Sequence, residues 1–360
     1  MTTKHFSVHL VKRTPMPWYK AMGVRALAIL LALVVSGVLI MLLTDKNPIE
    51  FYSSMVQGAF GTNLRVWSLL QNTAILLCIS LAITPAFKMK FWNCGAEGQV
   101  LIGGLATIAV MMFLGGKIPT PLLLAVMVAA SVLAGIIWAL LPAVCKALWN
   151  TNETLFTLMM NYIAIQLVAF FLKTFVKNGS GVLTPMPEYG LPVLCEQPYL
   201  MNIIIVALLT VLVFIYLKYT KQGYEISVVG ESENTARYIG INVKKVVMRT
   251  LVVSGALCGI AGLLLVGGTN HTISTTTVDG RGFTAIMVSW LAKFNPIFMV
   301  LTSFLIVFLN RGAQQVSTDF RIPNAISDIV TGIILFFIIG CEFFLNYKIV
   351  FSRNRKEEAA

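Results

Sequence analysis

Ten apolar runs, separated by short polar loops, limit what this chain can become. They cover residues 26–43, 66–87, 100–114, 121–144, 155–172, 200–217, 248–266, 282–292, 296–309 and 326–345. About 20 apolar residues in a helix cross the hydrocarbon core of a bilayer, and a backbone in lipid must satisfy its own polar groups, so the runs predict helices. With 57% hydrophobic and 12% charged residues and a mean hydropathy of +0.82, the expected fold class is an all-α polytopic membrane protein of about ten transmembrane helices. The runs at 100–114, 282–292 and 296–309 are too short for a full crossing, which predicts broken or re-entrant helices along an internal path.

The net charge of +12 does not point to nucleic acid, because the basic residues sit at span ends and not on one soluble face. They report topology instead. Ten crossings from a cytoplasmic N-terminus put 19 of the 27 Lys and Arg inside, among them Lys4, Arg13, Arg355 and Lys356, the asymmetry of the positive-inside rule. Nine crossings would leave the basic tail outside. The first run follows a basic stretch and ends in IMLLTDKN without a small-residue cleavage site, so it reads as a retained anchor. The expected organisation is a cytoplasmic tail at 1–25, a permease-like membrane domain at 26–345 with one large cytoplasmic loop at 218–247, and a cytoplasmic tail at 346–360. The other stretches, including 44–65, read as plain loops, and the expected location is the plasma membrane.

Several chemistries are excluded. The six cysteines fall singly, without metal-ligand spacing, and His5, His9 and His271 lie outside the spans, so no metal site and no histidine proton relay is expected. Gly115, Gly116 and Lys117 are followed by Ile118, so no phosphate-binding loop forms. No nucleophile elbow, H-E-x-x-H or intramembrane carboxylate pair is present, and no catalytic residue is assigned.

Three polar islands stand out. GESENTARYIG, from Gly230 to Gly240, reads as a short helix between two glycines, with Ser232 as its cap and Glu233 in the electropositive first turn. Thr235, Ala236, Ile239 and Gly240 then form a small, apolar face that fits either a partner's groove or a solvated interfacial helix filling a loop. FWNCGAEGQ opens the third run, where free backbone N–H groups favour an anion or a hydroxyl. An ionised Glu97 in lipid costs roughly 2.5–3.5 kcal/mol, so it is expected to be capped, paired or in water. Asn93, Glu97 and Gln99 fit either a substrate path or a tight turn at a helix start. Asn161, in the fifth run, fits a path amide or an interhelical hydrogen bond, as do Gln71, Asn72 and Thr73. The outer segment 268–281 is polar enough to meet a soluble protein and short enough to act as a gate, and it fits a plain solvated loop equally well.

The pattern G-E-S-x-x-x-A-R-Y-x-G-I resembles the cytoplasmic coupling segment of ATP-binding-cassette importer permeases in the branched-chain amino acid, ribose and nucleoside superfamily. Its residues here are Gly230, Glu231, Ala236, Arg237, Gly240 and Ile241. FWNCGAEGQVLIGG is similar to the F-N-I-G-A-E-G-Q signature of nucleoside and simple-sugar permeases, with Trp92 and Cys94 in place of the usual Phe and Ile. TNETLFTLMMNYIA and GRGFTAIMVSWLAKFNP resemble later segments of the same family.

The resemblance implies a transport subunit and not an enzyme. It also implies a separate ATPase with two nucleotide-binding cassettes holding ATP-Mg, a second related permease as heterodimer partner, and an external substrate-binding lipoprotein. The implied cargo is a nucleoside or a ribose-like sugar, moved by alternating access. The rival reading is an ion-gradient-driven secondary transporter, for which Asp328 and Glu342 in the last run are poor relay material.

Overall fold

The computed structural model describes residues 6–12, 17–44, 47–176 and 183–353; Lys4, His5, Arg13, Arg355 and Lys356 lie outside them. In chain order the helices are α1 (Trp18–Thr44), α2 (Pro48–Phe60), α3 (Asn63–Lys88), α4 (Ala96–Leu114), α5 (Thr120–Trp149), α6 (Glu153–Phe175) and α7 (Leu200–Tyr219). They continue as α8 (Lys221–Glu231), α9 (Glu233–Tyr238), α10 (Val243–Leu265), α11 (Arg281–Leu291), α12 (Pro296–Phe320) and α13 (Asn324–Asn346). Strands β1 (Phe6–Lys12) and β2 (Tyr347–Arg353) flank this series. Among the described residues, nine segments are long and apolar enough to cross a membrane: α1, α3 to α7, α10, α12 and α13.

The expectation of three short spans holds only for α11, which has 11 residues. α4 starts at Ala96, inside the polar signature, and reaches 19 residues. α12 continues past Leu309 through a polar stretch to Phe320, for 25 residues. Residues 44–65 are not a plain loop either, because they contain α2, with Pro48 in its first turn and Asn47 Oδ1 accepting from Ile49 N at 2.9 Å.

Two compact units are present, Met1–Thr62 with Phe308–Ala360, and Asn63–Val307. In the first, α2 explains the polar half of α12. Phe51, Met55 and Ala59 form its buried face, Ser54 Oγ donates to Asp319 Oδ2 at 2.5 Å, and Gln315 Nε2 donates to Asp319 Oδ1 at 2.6 Å. α1 packs on α13, where Arg25 pairs with Glu342 at 2.6 Å. β1 and β2 pair antiparallel from Phe6↔Arg353 to Lys12↔Tyr347. The two ends of the described chain therefore lie side by side.

The second unit is built around α3 and α10. Every residue of α3 from 73 to 87 is buried. Gly255, Gly259 and Gly262 of α10 fall at i, i+4 and i+7, and a Cβ at any of them would collide with backbone of α4 or α5: Gly135, Ser131 and Val100 respectively. Gly103 of α4 faces Gly259 in the same way. Small residues at this spacing let helix backbones touch, the packing that holds helices together where lipid removes the hydrophobic drive. These contacts set α4 parallel to α10, and α5 antiparallel to both.

Candidate functional site

The polar signature lies at a junction of four helices. After α3, the chain turns at Lys90, which has a φ of 61°, and then rises alongside α10. Asn93 Nδ2 donates to Ser254 Oγ at 3.3 Å, and Ser254 is 11 residues into α10, so α4 begins about 16 Å along that helix. Asn93 and Gln99 face each other, with Gln99 Nε2 donating to Asn93 Oδ1 at 3.2 Å. Gly95 N donates to Asn93 Oδ1 at 3.1 Å, which closes the turn.

Asn161 of α6 reaches the same junction. Its Oδ1 accepts from Gly98 N at 2.9 Å, and its Nδ2 donates to Cys94 O at 2.9 Å. Thr157 Oγ1 accepts from Cys94 N at 3.2 Å. A Cβ on Gly98 would stand 2.9 Å from the Asn161 amide oxygen, so glycine is needed for this approach. Asn93, Gln99 and Asn161 are all buried, and their amides are engaged in tying α4 to α6 and α10. Ser254 and Thr157 belong to this network and carry no mark in the sequence beyond small polar character.

Glu97 points the other way. Its carboxylate accepts from Gly280 N at 2.9 Å and from Gly282 N at 2.7 Å, at the start of α11. Gly282 presses against the Glu97 backbone, with 2.9 Å between a would-be Cβ and the Glu97 Cα. Arg281 Nη2 donates to Asn72 Oδ1 at 3.1 Å, while Ser289 Oγ donates to Ser80 O at 3.1 Å, so α11 runs parallel to α3 and begins beside its middle. The carboxylate thus occupies free amides that a half-helix otherwise offers to an anion.

The segment 268–281 before α11 is folded, not a simple solvated loop. A π-helical turn, Val266–Asn270, extends α10, and Ile273 and Val278 are buried. Gln71 donates to Thr269 Oγ1, and Asn202 Nδ2 donates to the same oxygen at 3.3 Å. Burial beside Gly190 pushes the His271 imidazole below its ordinary pKa.

The island from Gly230 to Gly240 holds the short helix expected between its glycines, α9, and also the end of α8, so that the two helices make a pair, the α8–α9 hairpin, joined at Ser232. Gly230 is the penultimate residue of α8 and is buried where a Cβ would collide with the Lys88 carbonyl. Ser232 does cap α9, its Oγ accepting from Thr235 N at 3.3 Å. Gly240, with a φ of 83°, ends it, and Ile241 N donates back to Ala236 O at 2.9 Å.

The face expected to meet a partner changes in one respect. Ala236 is fully buried against the chain itself, whereas Glu231, Thr235, Arg237 and Ile239 are exposed. Tyr238, which sequence reasoning passed over as a site residue, is 92% exposed. Arg237 lies 3.5 Å from Glu233, and Arg249 of α10 pairs with Glu225 of α8 at 2.8 Å. Among the described residues no cluster of metal ligands occurs.

Comparison with known proteins places this geometry. Residues 66–339 match the family described as "Branched-chain amino acid transport system / permease component". The chain is 31% identical to the guanosine ABC transporter permease protein NupP of Bacillus subtilis, over 87% of this chain and 91% of that one. It is 26% identical to the glucose ABC transporter permease protein TsgB13 of Haloferax volcanii, over 97% and 95% of the two chains. A third relative, the nucleoside ABC transporter permease protein NupB of Lactococcus lactis, is 27% identical over 84% of this chain and 86% of its own. The chain therefore belongs to this family of ATP-binding-cassette permease components, membrane transport subunits and not enzymes.

Proposed function

We propose that this chain is one of two related permeases of an ATP-driven importer, that it forms the path for a nucleoside, and that it receives its energy through the α8–α9 hairpin. The observation that carries the reading is the two-sided build of that hairpin. Its outer side presents Glu231, Arg237, Tyr238 and Ile239, while its inner side is seated directly on backbone, Gly230 against the Lys88 carbonyl. A push on the outer side therefore has no soft layer in which to dissipate. It reaches the turn that carries Trp92 and Asn93 and, through Arg249 and Glu225, the foot of α10. The pushing partner is a separate ATPase with two cassettes, which holds ATP-Mg and biases alternating access by contacting the two states differently. An external lipoprotein delivers the cargo, and both chain ends lie on the cytoplasmic side of the plasma membrane.

The proposed cargo is neutral. Glu97 closes the start of α11, so this half-helix offers no open anion site of the kind that holds an amino acid carboxylate. Relatives named for guanosine and for nucleosides favour a nucleoside, and the relative named for glucose makes a sugar the second reading.

The test is uptake of labelled guanosine, uridine and ribose by cells producing the complete transporter, under ATP depletion at a clamped ion gradient. The expected result is ATP-dependent nucleoside uptake that fails in Glu231→Ala/Arg237→Ala while the chain still reaches the membrane. Uptake that survives both ATP depletion and the double substitution refutes the coupling role.

A further inference from the structure

We infer that the exposed face of α11, formed by Phe283, Met287 and Trp290 and continued by Trp92, lines the solute path and stacks on the flat ring of a nucleoside. The inference rests on the importer reading above and adds the residues that contact the cargo. Phe283, Met287 and Trp290 fall at i, i+4 and i+7, and are 47%, 39% and 52% exposed, whereas Gly282, Ala285, Val288 and Ser289 bury the opposite side. Trp92, 42% exposed on the α3–α4 turn, extends the stripe, with its ring 5.4 Å from that of Trp290.

Lipid is a poor occupant for this face. Asp279 and Gly280 are exposed in irregular backbone beside the middle of α3, with φ values of 54° and 70°. Irregular backbone at such a depth is tolerated only within protein or along a water-filled cavity, which excludes a lipid-facing position. Gly280 precedes Phe283 by three residues and Met287 by seven, so it opens onto the same side of the helix.

At the upper end of the stripe, Arg281 and Asn72 bring amide and guanidinium groups within one turn of Phe283. A base stacks on aromatic rings by its π-face whatever its edge, and a ribose hydroxyl suits an amide or guanidinium. The arrangement therefore fits a cargo with one flat apolar end and one hydroxylated end.

The experiment uses the complete transporter with Cys94, Cys145 and Cys195, the cysteines that are not buried, replaced by Ser. Met287→Cys is treated with a cationic, membrane-impermeant methanethiosulfonate, with and without saturating guanosine. The expected result is labelling that guanosine suppresses. No labelling, or labelling that guanosine leaves unchanged, overturns the assignment. In parallel, Trp290→Ala is expected to lower nucleoside uptake at low concentration by about tenfold, the scale of one lost base–aromatic stack, and Trp290→Phe to recover most of it. Equal uptake by Trp290→Ala and wild type also overturns it. Should the wild-type transporter import a sugar and no nucleoside, the cargo reading above falls, while labelling of Met287→Cys still decides whether α11 faces the path.

Discussion

At the scale of single residues, the position of Glu97 is set by two helices at once. It belongs to the first turn of α4, and its oxygens accept from two amides at the start of α11. Charge-assisted hydrogen bonds of this kind contribute about 1.5–3 kcal/mol each, so Glu97→Gln is expected to lower stability by about that amount and to reduce uptake. Thermal unfolding of the purified transporter in detergent measures the first effect; a midpoint equal to wild type would show that the cap contributes little. That Glu97 needs a partner was legible in the sequence from the cost of an ionised carboxylate in lipid. Which partner was not, because Gly280 and Gly282 lie 183 and 185 residues away and glycine amides carry no side-chain signal. Asn161 gave the same partial reading, since its polar character marked it and its bonds to Gly98 and Cys94 depend on tertiary approach.

Among the elements, legibility followed hydropathy and failed where polarity and helix coincide. α12 was cut short at Leu309 because the rest of the helix is polar, and α2 was missed because its buried apolar face is only three residues of a 13-residue segment. Both are stabilised by each other's polar groups, Ser54 with Asp319 above all, which hydropathy cannot register. The glycine contacts among α4, α5 and α10 were equally silent, although they fix that packing. Gly259→Ala places a methyl group into the Ser131 backbone and is expected to cost roughly 1–3 kcal/mol or more, while Gly340→Ala, with nothing within 4 Å, is expected to be neutral. Expression level and unfolding midpoint of the two variants, side by side, check this contrast.

For the molecule as a whole, charge asymmetry predicts an even number of passages with both ends inside, and the pairing of β1 with β2 brings the two ends of the described chain together. Reporter fusions at the N- and C-termini are expected to report the same side of the membrane, the cytoplasmic one; opposite sides would contradict the strand pairing. The strands were not anticipated, because short β-segments outside the spans have no hydropathic signature. One feature of the second unit also bears on how a stroke is carried. α4, α5 and α10 touch through backbone at Gly103, Gly135, Gly255, Gly259 and Gly262, so at those points no long side chain lies between them to change rotamer and let one helix slip past another. Such a seam is stiff in shear. α10 with its π-helical extension spans 28 residues, roughly 40 Å, from the coupling hairpin to the far end. Under the proposed coupling role it is a lever braced along its length, expected to deliver at Thr269 most of a displacement applied at Asn242.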